Sequence, residues 1–134
     1  MLGMSREELL AFNQSVIDEF RENNGVCGGP FEGNPMLLLT TRGARTSEAR
    51  TTPLTYHLDG DRHVVMASAG GSPTHPAWFG NLSAHPEVVV EVGAERFDAA
   101  ATSPTGEERE LLFADMVAAL PRFGDYQAQV ERVI

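Results

Sequence analysis

A chain that carries MLLLTTRGARTSEARTTPL at residues 36–54 has little choice there but a hairpin. The apolar run Met36-Leu37-Leu38-Leu39 closes on Thr40 and Thr41. A polar loop follows, and β-compatible residues resume at Arg50-Thr51-Thr52-Pro53-Leu54. Apolar runs on both sides of a Gly-containing loop predict two strands and a connection. The loop and its exit carry Arg42, Arg45 and Arg50 against Glu48 alone, in a chain of formal charge −9. Guanidiniums gathered against the charge trend of their own protein suit a bound anion, because the planar fork binds phosphate or carboxylate in a bidentate way. Thr46, Ser47, Thr51 and Thr52 add hydroxyl donors. A solvated loop with rim salt bridges explains the same residues, so both readings stand at this point.

A length of 134 residues predicts a single domain over 1–134, long enough for a real core. One cysteine, Cys27, leaves no internal disulfide and fits a reducing compartment. Without a basic n-region, a signal-type apolar core or a membrane-length apolar run, the chain reads as cytoplasmic. The net charge of −9 argues against nucleic acid as a partner and against electrostatic attachment to anionic lipid.

The rest of the chain falls into recognisable pieces. Ser5-Arg6-Glu7-Glu8 is a capping box, and Leu9, Phe12, Val16 and Phe20 form one stripe, predicting an amphipathic helix over 6–23 stopped by Asn24-Gly25. Residues 25–35 are rich in Gly and Pro and read as an ordered loop, with Phe31 as an anchor or a ligand cover and Cys27 as an inert thiol. Strands over 50–58 and 63–68 flank Asp59-Gly60, a strong hairpin signal. Gly70-Gly71 lies in a flexible turn. Residues 74–86 hold a short helix with Pro76 at its first position, His75 as its cap, and Trp78 and Leu82 on one face. Strands over 87–92 and 96–101 come next. A second capping box at Thr105 opens a helix with Leu111, Leu112, Met116 and Leu120 inward, and a last helical stripe joins Phe123, Tyr126, Val130 and Val133. Hairpin-linked strands without β-α-β alternation predict an α+β fold: an antiparallel sheet or barrel with an N-terminal helix and C-terminal helices packed on it.

Standard catalytic sets find little support. His57, His63, His75 and His85 are scattered without HxH, HExxH or CxxC spacing, and no GxSxG elbow or GxGxxG loop is present. A binding constellation remains: the Arg/Thr/Ser loop, the Gly-Gly turn, a helix N-terminus and Trp78-Phe79. Such a set suits a flavin-like cofactor, which brings its own redox chemistry. Trp78 as plain core is an equal alternative.

Taken together, FRENNGVCGGPFEGNPMLLLTTRGARTSEARTTPL, YHLDGDRHVVMASAGGSPTHPAWFGNLSAHPEVVVEVG and PRFGDYQAQVERVI closely resemble the deazaflavin-dependent nitroreductase family. These are actinobacterial proteins that use coenzyme F420. The resemblance implies a split β-barrel of about six strands, related to FMN-binding folds. It implies an oxidoreductase that passes a hydride from the reduced deazaflavin to a quinone or nitroaromatic acceptor, a small molecule. By position it gives Arg45, Thr46, Ser47 and Arg50 to the phosphate and the start of the glutamyl tail. Thr52, Pro53 and Leu54 would lie along the ring, and Ser68, Ala69, Gly70 and Gly71 would offer donors. Trp78 would shape the cofactor pocket, with Asn81 and Leu82 on the helix beneath. Phe123 and Tyr126 would line the acceptor pocket, and either Tyr126 or solvent would give the proton. The loop reads GARTS where the family usually has GRKSG, Ala69 stands where Lys is frequent, and Phe79 replaces a common Tyr. The alternatives are an FMN-dependent reductase or oxidase of the same fold, and a non-catalytic binder of a deazaflavin or another flat anion. A monomer and a homodimer both fit, as does loose association with the inner membrane face.

Overall fold

Three tight connections organise the sheet. At Gly60 and Gly93 the backbone takes φ values of +63° and +59°, which glycine adopts without strain, and the strands return after two residues. The third connection is the arginine loop. The computed structural model describes residues 5–28, 33–67 and 75–128. Its elements are α1 (Arg6–Glu22), β1 (Met36–Arg42), β2 (Ala49–Asp59), β3 (Arg62–Val65), α2 (Ala77–Ala84), β4 (Glu87–Val92), β5 (Glu95–Ala100), α3 (Gly106–Ala119) and α4 (Arg122–Ala128). Five strands form one antiparallel sheet in the order β3-β2-β1-β4-β5. The described residues thus contain the five strands read from the residues themselves, where the resemblance implied about six.

The sheet curls into a half-barrel, and its two edges meet through side chains. His63 on β3 lies 5.2 Å from Tyr56 on β2 and 5.8 Å from Phe97 on β5, between ring centroids. Arg62 ties the same edge to α3 through Glu108 at 3.0 Å, and also pairs with Asp59.

Strand alternation divides the core in two. Met36 and Leu38 face α1, where they pack with Val16, Ile17, Phe20 and Cys27. Leu37 and Leu39 face the opposite way, toward Trp78 and Leu82 of α2 and Val88 and Val90 of β4. The amphipathic stripe of α1 therefore buries against the outer face, with Ile17 joining the residues expected. The Ser5 hydroxyl accepts the Glu8 amide at 3.1 Å, as a capping box requires. At its other end Gly25, at φ +94°, sits so close to the β4–β5 turn that a Cβ would lie 2.8 Å from the Gly93 α-carbon.

Several local expectations change. Pro76 is the N-cap of α2 and not its first helical residue, since its ψ of 151° is extended. The cap position thus belongs to Pro76, and His75 stacks on Phe79 at 4.7 Å. Thr105 makes no side-chain capping bond to α3. Leu111 is 62% exposed, because the inward stripe of α3 runs through Met116. The edge strand β3 ends at Val65 among the described residues. Phe31, Val130 and Val133 lie outside them.

Candidate cofactor and acceptor site

The arginine loop is a closed structure. Gly43 donates its amide to the Glu48 carbonyl at 2.8 Å, and Ser47 donates to the Gly43 carbonyl at 2.9 Å. The Thr46 hydroxyl accepts the Glu48 amide at 3.3 Å. Ser47 holds the left-handed conformation, φ +60°, which turns the chain back into β2. A Cβ at Gly43 would stand 2.8 Å from the Thr46 hydroxyl oxygen, so a side chain there would displace the Thr46 hydroxyl. Asn81 of α2 braces the loop from beneath. Its side-chain oxygen accepts the Ala44 amide at 3.1 Å, and its nitrogen donates to the Thr41 hydroxyl at 3.2 Å.

The two readings of the loop arginines both find a place. Arg50 makes a rim salt bridge with Glu48 at 3.0 Å, with both side chains more than half exposed. Such a pair is weak and leaves the guanidinium available to a stronger anion. Arg45 is exposed and has no ion-pair partner among the described residues. Arg42 is directed elsewhere, to a small hollow of about 250 Å³ beside His85 and Glu87.

Register decides which β2 side chains can share the inner face. Arg50 pairs with Thr41, Thr52 with Leu39, and Leu54 with Leu37. Directly paired residues lie on the same face, so Arg50, Thr52 and Leu54 face inward. Pro53 pairs with Leu38 and its ring lies on the outer face. A set of three consecutive residues cannot line one surface of a strand with period two. Only the backbone of Pro53 is available to a ligand on the inner side. Among the described residues β2 has no neighbour here on its other edge, since β3 pairs with Tyr56–Asp59, and a proline without an amide is tolerated.

On the inner face a cavity of about 850 Å³ opens between the half-barrel and α3. Leu37, Leu39, Trp78, Val88, Val90 and Phe97 give it apolar walls, and Asp61, Arg62, Arg109 and Glu110 stand among its polar lining. Trp78 is both core and wall: it is buried in the inner cluster and borders the cavity. Arg109 lies over the Phe113 ring at 4.1 Å and pairs with Glu110 at 2.9 Å. No motif in the chain pointed to α3 as a wall of this cavity.

Phe123 and Tyr126 meet edge to face at 5.6 Å on α4, which packs on α3. Phe123 is buried, and neither residue is among the walls of the cavity. Ser68, Ala69, Gly70 and Gly71 lie outside the described residues. Cys27 is buried among the α1 contacts, far in the fold from the inner face; burial, and then the charge of Glu19, pushes its thiol up. Among the described residues there is no group of three or more potential metal ligands, and no helix is long and apolar enough to cross a membrane.

The half-barrel thus carries a braced basic loop at one end and a large apolar cavity on its inner face. The sequence profile of the F420H2-dependent quinone reductases matches residues 13–134, and the chain belongs to that family. It is 48% identical over 91 residues to an F420H2-dependent quinone reductase of Mycobacterium tuberculosis. That match covers 67% of this chain and 59% of the relative, so the chain matches less than two thirds of the relative's length. Among solved structures, one described as an F420-H2 dependent reductase superposes with a TM-score of 0.69 at 37% identity, covering 75% of this chain and 89% of the other. A second, described as a domain-swapped dimer, superposes with a TM-score of 0.71 at 32% identity and covers 97% and 96%. These structures share the α+β fold, an antiparallel sheet with helices packed on it, that the hairpin pattern predicts.

Proposed function

We propose that this chain is an oxidoreductase that uses reduced coenzyme F420 and a quinone or nitroaromatic acceptor. The observation that carries the reading is the placement of a braced basic loop and an apolar cavity of about 850 Å³ on one face of the sheet. The donor set fits the cofactor: guanidiniums and hydroxyls for a phosphate, and a volume of the size that small-molecule sites usually have. Family membership over residues 13–134 supports the same assignment.

When bound, the reduced deazaflavin supplies a hydride, and a quinone that takes this hydride and one proton becomes the hydroquinone. The protein's own task is placement. Arg45, Thr46, Ser47 and Arg50 hold the phosphate and the start of the tail. Thr52 and Leu54, with the Pro53 backbone between them, are not walls of the cavity itself; from β2 they would meet the ring on the inner face, between the loop and the cavity. Trp78 and the valines of β4 give the apolar walls that would hold the flat cofactor and acceptor together. With Tyr126 away from the walls of the cavity, solvent is the proton source in this scheme.

A fluorescence titration with oxidised coenzyme F420, with FMN as competitor, tests this reading. Saturable binding that prefers the deazaflavin, followed by menaquinone-analogue reduction, is expected. Preference for FMN would move the chemistry to a flavin, and tight deazaflavin binding without turnover would make the chain a carrier. Arg45→Ala and Arg50→Ala should each weaken binding several-fold, more at low salt than at high salt. Unchanged affinity in both would misplace the anion site. The domain-swapped relative supports a homodimer here as well, which light scattering on the purified chain would check.

A further inference from the structure

The brace between α2 and the arginine loop has a chemical logic of its own. The Ala44 amide can only donate, so the Asn81 atom 3.1 Å from it is the carboxamide oxygen. The nitrogen is then committed to the Thr41 hydroxyl at 3.2 Å. Thr41 is 2% exposed and lies at the end of β1, on the inner face. One carboxamide thus joins the last buried residue of β1 to the second residue of the loop. Leu82, next along α2, is buried in the inner core, and Trp78, one turn earlier, walls the cavity. A single short helix therefore fixes both the cavity wall and the loop that carries Arg45.

We propose that Asn81 is a positioning residue for anion recognition: it holds the loop in its receiving shape and sets how strongly the site prefers a deazaflavin with phosphate and tail over the bare chromophore. The inference rests on the cofactor reading above. Loss of the carboxamide frees the Ala44 amide and the Thr41 hydroxyl together. The loop then keeps its internal bonds, from Gly43 to Glu48, from Ser47 to Gly43 and from Glu48 to the Thr46 hydroxyl, with the Arg50–Glu48 pair at its exit. The walls of the cavity, built from β1, β4, β5 and Trp78, keep their packing.

The test measures two dissociation constants on each protein by fluorescence. One is for coenzyme F420, the other for the same deazaflavin with its ribityl arm but no phosphate or tail. For Asn81→Ala, affinity for the full cofactor should fall by on the order of tenfold, the effect of a lost positioning hydrogen bond. Affinity for the truncated ligand should change by less than about twofold. Thr41→Val, which removes one end of the brace and leaves the Ala44 bond, should give a smaller loss confined to the full cofactor. Without any ligand, hydrogen exchange over 43–48 should quicken in Asn81→Ala. A merely structural role would weaken both ligands in parallel and leave their ratio unchanged; that result overturns the proposal. If Asn81→Ala fails to fold, Thr41→Val decides by the same ratio. A parent protein that binds neither ligand sinks the cofactor reading and this inference with it. A parent that discriminates, with variants that discriminate equally well, sinks this inference alone.

Discussion

The two faces of one sheet have been put to different uses. On the outer face, Met36 and Leu38 are sealed under α1, with Val16, Ile17, Phe20 and Cys27 completing a buried cluster. On the inner face, Leu37 and Leu39 are also buried, yet they border a cavity of about 850 Å³. Neighbouring leucines in one run thus take opposite roles: one side supplies packing, the other a wall with space in front of it. Stability should concentrate on the first face and ligand affinity on the second.

The sharpest way to break this comparison is to truncate adjacent leucines. Leu38→Ala should cost near the top of the range for buried leucines, about 4–5 kcal/mol, because α1 cannot collapse into the gap. Leu37→Ala should cost less, about 2–3 kcal/mol, since its lost volume merges with a space that water or ligand already reaches. Thermal or urea unfolding gives both numbers. The cofactor dissociation constant should move in Leu37→Ala and stay fixed in folded Leu38→Ala. Equal costs, or a ligand effect from Leu38, would end the division of labour.

A smaller effect should come from Gly25→Ala, where α1 ends against the β4–β5 turn. The positive φ and the 2.8 Å approach to the Gly93 α-carbon both oppose a side chain. A loss of about 1–3 kcal/mol is expected, with little change in ligand affinity. If melting is unchanged, α1 is not seated where its last turn places it.

The smallest effect concerns Cys27. Its thiol is held above its ordinary value of 9.0, mainly by burial and then by Glu19. The folded state therefore keeps this proton to higher pH than the unfolded chain does. Its contribution is fully present below the unfolded thiol range and declines as pH rises through and beyond it. Cys27→Ala should flatten a small alkaline fall in melting temperature, measured against pH. Alkylation of folded protein at pH 8 should be slow compared with unfolded protein. Fast alkylation would mean that the outer cluster opens readily.

Much of the architecture was legible along the chain because it rests on local rules. The Ser5 box, the Gly60 turn, the EVVVEV strand and the Trp78–Leu82 face all depend on residues within four positions of one another. Local rules failed where two solutions were close in energy. Thr105 has the composition of a cap, yet makes no capping bond, and Leu111 and Leu112 competed for one inward position on α3. The candidate site was legible in its basic loop and in Trp78. At Pro53, strand register turns the ring to the outer face and leaves only the backbone toward the inner side, which adjacency in sequence does not reveal.

From the sequence alone came the hairpins, the helices, the concentration of arginine in one loop and the family to which these motifs belong. Each depends on residue type and short spacing, which the chain carries in one dimension. Tertiary structure decided which leucines wall a cavity, that α3 lies across it, that Asn81 braces the loop, and that Phe123 and Tyr126 stand apart from the walls. These depend on how strongly the sheet curls and on which elements pack across it, and such long-range packing leaves no periodic mark in the sequence.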